Sequence, residues 1–138
     1  MYLVGFPLLL IPLVLYNIIA FLFGMGFGDT LFSIPMMSGA ELGVTTSDLL
    51  LILSIFLLFV EILKATRFGV KSIVDHILSF VVFVVALGEF LLVPQAATST
   101  FLLLLVICVV DVVGGFSISI RAAARDFSIE GGHPPLAR

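Results

Sequence analysis

The sequence predicts an all-α membrane protein: four transmembrane helices in a compact bundle, with both termini in the cytoplasm. Three observations lead there. First, 62% of the residues are hydrophobic and only 11% are charged, with a mean hydropathy of +1.36. A soluble domain carries about 25% charged residues, and too much of a small domain's surface faces water to hide this much Leu, Val, Phe and Ile. Second, four apolar runs each approach the ~20 residues that a helix needs to cross a bilayer. Third, the Lys and Arg residues form two clusters that four crossings bring to one side.

The first run is YLVGFPLLLIPLVLYNIIAFLFG, 2–24. It has no basic n-region and no A-x-A-like cleavage site, so it is expected to be a retained helix. Pro12 cannot donate to the carbonyl of Leu8, which predicts a kink. The second, third and fourth runs cover 47–66, 72–93 and 100–120. All are unbroken, unlike the alternating strands of about 10 residues in a membrane barrel. Thr46 or Ser47 can cap the second helix, and Asp48 suits its positive end. Ser72 and Asp75 have capping-box spacing at the start of the third.

Lys64, Arg67 and Lys71 lie between the second and third runs, and Arg121, Arg125 and Arg138 follow the fourth. These topology determinants place both termini and the 64–71 loop in the cytoplasm. The connection 25–46 would then face outside, as a packed link or along the membrane surface. Residues 1–124 form the transmembrane domain on this reading. Gly131, Gly132, Pro134 and Pro135 oppose a helix, so 125–138 is expected to be a disordered cytoplasmic tail in which His133 is solvated.

Helical spacing locates the interior. Cys108, Asp111, Gly115, Ile118 and Ala122 step by three and four and share a face, flanked by Gly114 and Ser119. Asp75, Ser79, Val82, Ala86 and Glu89 form a second stripe. Small residues let helices approach closely in lipid, so Cys108, Gly114, Gly115, Ser119, Ser79 and Ala86 are candidate packing positions. Ser54 and Glu61 share a side of the second helix, and Asn17, Ala20 and Gly24, beside Tyr16, form a stripe on the first.

Asp111 falls near mid-membrane, where a charged group costs about 2.5–3.5 kcal/mol to insert. Interhelical hydrogen bonds average only about 0.6 kcal/mol, so its presence invites a role beyond stability. Two roles are open for Asp111, Glu89 and Glu61, with Asn17 and Tyr16 nearby. One is a proton or cation relay. The other is interhelical bonding, with Asn17, Tyr16, Ser79 or a backbone carbonyl as partner for Asp111. Glu61 is expected to snorkel to the interface with Lys64 at i+3. Glu89 has no basic residue near it in the sequence. Asp75 and His76 would lie at the cytoplasmic start of the third helix.

The lone Cys108 excludes an internal disulfide and a cysteine metal site. There is no His pair for haem, no zinc spacing, no G-x-S-x-G and no phosphate loop. No catalytic residue, metal or cofactor is expected, and six basic residues argue against nucleic acid. The expected partners are the bilayer and other membrane proteins or a second copy. The expected function is a non-catalytic subunit or assembly factor of a membrane complex, in a bacterial inner membrane by economy of size. The alternative is a small oligomeric proton-linked transporter or channel.

Overall fold

The computed structural model describes residues 5–24, 26–66 and 70–131. It is mostly helical. Three helices are long and apolar enough to cross a membrane: α2 (Thr46–Lys64), α3 (Val70–Leu92) and α4 (Ser99–Gly131). Apolar runs without internal Pro make these segments helical, since only intrasegment hydrogen bonds satisfy a backbone in lipid.

The first run folds differently from the single helix expected over 2–24. Gly5–Leu9 is a turn-rich lead-in, α1 spans only Leu10–Asn17, and a π-helical stretch follows over Ile18–Phe23. Together Leu10–Phe23 rises about 21 Å, short of a crossing unaided. Pro12 falls in the first turn of α1, where a missing N–H breaks no helical bond, so the expected interior kink has no cause. The irregularity comes after Asn17, whose Nδ2 donates to the Leu13 carbonyl at 2.9 Å and competes there with the backbone ladder. Gly24, at φ +58°, ends the π stretch.

The connection 25–46 contains strands, so the chain is not all-α. β1 (Thr30–Pro35) and β2 (Glu41–Thr45) form an antiparallel hairpin, with Phe32 opposite Val44 and Ile34 opposite Leu42. Gly39 at φ +89° supplies the left-handed residue that a short hairpin loop needs, and its N–H donates to the Met36 carbonyl at 3.0 Å. β2 runs into α2 without a linker. Thr45 is the N-cap, one residue before the expected Thr46, and forms a reciprocal capping box with Asp48.

α3 begins at Val70, so Ser72 lies within it and Asp75 is not part of a starting cap. α4 continues past residue 120 to Gly131, through the first part of the segment expected to be a disordered tail. Arg67, His133 and Arg138 lie outside the described residues.

α4 is central. It packs on α3 and on α2, while α1 lies against α2 and reaches α4. α2 and α4 run parallel: Ser47 hydrogen-bonds Thr100 at one end, and Ser119 Oγ lies 3.5 Å from the Ala65 carbonyl at the other. The apolar core draws Leu13 and Tyr16 from α1, Leu50 from α2, Ala86 from α3, and Phe101, Leu104, Leu105 and Cys108 from α4. Large apolar side chains such as Phe56, Phe59, Val85 and Val113 point outward. That inversion suits a lipid solvent.

Candidate functional site: two polar ends and an apolar middle

The polar side chains of the helices fall into two groups. The first gathers where α2 ends and α3 begins. Glu61 and Lys64 are 4% and 6% exposed and pair at 3.2 Å, so they do not snorkel to an interface. The lead-in before α1 folds over them. Leu8 N–H donates to Glu61 Oε1 at 2.6 Å, and Lys64 Nζ donates to the Phe6 carbonyl at 2.8 Å. Gly5 N–H donates to Asp75 Oδ1. Leu8 and Leu9 are buried by the same fold. Orphan backbone groups of a turn are thus satisfied by buried charges, and the charges by each other.

Asp111 belongs to this group. It is buried on the α4 face that carries Cys108 and Gly115, and it accepts a hydrogen bond from Ser79 on α3. Of the partners open to it, Ser79 is the one found among the described contacts. Lys64 and Glu61 are close enough to act on it electrostatically. One turn further on, His76 Nε2 meets Ser119 Oγ and its ring packs near Phe116. A Cβ on Gly115 would lie 2.9 Å from His76 Nδ1, so the α3–α4 contact needs glycine there. Gly114 faces open space and is not a close-packing position. The structure brings Asp111 into reach of Glu61 and leaves Glu89 apart.

The second group lies at the hairpin end. Tyr16 Oη donates to the Gln95 carbonyl at 2.9 Å and accepts from Thr98 Oγ1 at 2.7 Å. Its ring stacks on Phe27 and meets Phe101 edge-on. Asn17 Nδ2 reaches Glu89 Oε2 at 3.3 Å. An open hollow of 560 Å³ between the hairpin base and the helix ends is lined by small and hydroxyl residues, among them Gly26, Ser47, Thr98 and Thr100.

Between the groups the interior is apolar. Along α4 the order is Thr100 and Phe101, then Leu104, Leu105 and Cys108, then Asp111, Gly115 and Ser119. About 15 Å of helix separates Phe101 from Asp111. Along α3, Val82 and Ala86 part Ser79 from Glu89. In α2, Ser54 lies in this layer, but its hydroxyl is spent on the Leu50 carbonyl at 2.7 Å. Among the described residues, Thr46 Oγ1 is the one buried side-chain polar atom without a partner. Also among them, no three His, Cys, Asp or Glu side chains converge as metal ligands would.

Of the basic residues, Lys64 ends α2, Lys71 begins α3, and Arg121 and Arg125 lie exposed on the far part of α4, all at the Glu61 end.

Sequence reasoning missed the hairpin. Phe32, Ile34, Leu42 and Val44 share one of its faces; Ser33, Pro35, Glu41 and Gly43 share the other. Phe32, Ile34 and Leu42 are exposed, as are Met36 and Met37 at the tip. The signal was present as FSI and LGV alternation around the turn residues Ser38 and Gly39. No protein-family model, curated protein or solved structure matches the chain.

Proposed function

We propose that the chain is a four-helix transmembrane bundle with both termini in the cytoplasm, acting as a non-catalytic subunit or assembly factor of a membrane complex. The observation that carries this reading is the contrast between a spent interior and an uncovered hairpin. Glu61, Lys64, Asp75 and Asp111 are committed to holding a turn and joining helices. On the apolar face of the hairpin, Phe32, Ile34 and Leu42 stand exposed. A lone two-stranded hairpin is marginal in water, and an exposed apolar face of this kind marks a contact surface.

The topology is supported by the Lys and Arg positions, which gather at one end of the helices. α1 and its lead-in, short as a helix, still reach from Glu61 to Thr98, so the first run completes a passage between the two ends. The proton-relay alternative has less support, because the apolar layer parts Glu89 from Asp111. The location that goes with this reading is a bacterial inner membrane.

The test is purification at native expression in a gentle detergent, followed by mass analysis of the intact assembly. A stoichiometric foreign subunit is expected. A homo-oligomer or monomer alone would contradict the reading.

A further inference from the structure

A cleft of 270 Å³ opens on the side of the helices between α1 and α3. Its walls are Leu10, Leu13, Val14, Val81, Val85 and their neighbours, and its polar groups are Asn17 and Glu89. Glu89 lies three residues before the end of α3, about 5 Å inside it. A carboxyl within a membrane segment normally pairs with a cation or lines a water-filled path. Among its described residues, this chain has no Lys or Arg at that end of the helices. Its six Lys and Arg residues are 64, 67, 71, 121, 125 and 138. Lys71, on the same helix, is about 27 Å from Glu89 along the axis. The described partner of Glu89 is the neutral Asn17 amide.

Resting on the subunit reading, we infer that the α1–α3 cleft is a docking site for a transmembrane helix of a partner protein, whose Lys or Arg side chain enters between Asn17 and Glu89. Three observations choose this occupant. The cleft is the size of one long side chain, not of a helix, so the helix packs outside and a single residue enters. The walls are apolar where the methylene stem of Lys or Arg would lie, and the carboxyl stands where its charged head would arrive. A second copy in the same orientation is a poor fit, because its described basic residues, Lys64, Lys71, Arg121 and Arg125, are at the opposite end. The partner is therefore a different chain, with a basic residue about one helical turn inside the membrane on the hairpin side.

The experiment uses the full chain in lipid nanodiscs and a fluorescent single-span Leu/Ala peptide bearing one Lys about 5 Å below its matching end. The control peptide has Leu there. Energy transfer is expected to report at least ~10-fold tighter association of the Lys peptide, a difference of about 1.4 kcal/mol. Glu89→Gln, which keeps the Asn17 amide bond possible, should reduce association to the Leu-peptide level. Glu89→Asp should retain part of it, and Glu89→Lys should instead favour a peptide carrying Glu. Glu41→Gln, on the hairpin, should change nothing. Equal association of the Lys and Leu peptides would overturn the inference, as would indifference to Glu89→Gln. Displacement of the Lys peptide by low concentrations of free butylammonium would overturn it in favour of a small-cation site. A native partner that co-purifies equally with wild type and Glu89→Gln would leave the subunit reading standing and remove this contact.

Discussion

The two ends of the molecule treat polarity in opposite ways. At the Glu61 end, the charged side chains Glu61, Lys64, Asp75 and Asp111 are buried and each has a use inside the chain: an ion pair, a backbone N–H, a carbonyl, a serine hydroxyl. At the hairpin end, apolar side chains stand exposed and the described hydrogen-bond partner of Glu89 is a neutral amide. The first end is closed on itself. The second is arranged as though part of its surroundings were supplied by something else. Buried polar groups alone therefore do not mark function here; what distinguishes the ends is whether the chain completes its own contacts.

The largest effect should come from breaking the closed end. Lys64→Met leaves Glu61 buried without its cation, and unfolding in detergent should record a loss of about 3–5 kcal/mol. Adding Glu61→Leu should restore part of that loss, because an apolar pair strands no charge. If the single variant unfolds like wild type, the pair is not holding the lead-in.

Next comes the α3–α4 contact. Gly115→Leu drives a side chain into the His76 ring and should cost about 1–3 kcal/mol, whereas Gly114→Ala should stay within about 0.5 kcal/mol. Equal effects at both positions would mean that the close approach lies elsewhere. Smaller still is the junction of hairpin and helix: Thr45→Ala removes one half of the capping box, for a loss of about 1 kcal/mol in the same unfolding assay. At the bottom of the scale, Asp111→Asn should leave proton flux in proteoliposomes unchanged from wild type. A wild-type flux that the variant abolishes would revive the relay.

Much of this architecture is legible in the sequence, for identifiable reasons. α2, α3 and α4 are long apolar runs, and their helical form follows from the need to satisfy the backbone in lipid. The buried stripe through Asp75, Ser79 and Ala86, and that through Cys108, Asp111 and Gly115, follow from three-four spacing. What local pattern could not supply was long-range closure. The Gly5–Leu9 lead-in finds Asp75, Glu61 and Lys64 across 53 to 70 residues, and this turns a pair expected at the interface into a buried one. The hairpin was hidden by its composition. In a chain so apolar, Phe32, Ile34 and Leu42 look like more membrane-facing residues, and only the alternation around the Ser38–Gly39 turn sets them apart. The short α1 was masked because Gly5 and Pro7 lie in a run whose hydropathy does not change across the helix boundary.

The comparison of the two ends is tested most directly by retention of the co-purified partner on a hairpin variant. Phe32→Ser/Ile34→Ser/Leu42→Ser would be expressed and purified beside wild type, with unfolding followed in parallel. The account predicts that the variant loses the partner while its stability stays within about 1 kcal/mol of wild type, since these side chains are already exposed. Full retention of the partner by a folded variant would contradict it, and would place the contact away from the open face of the hairpin.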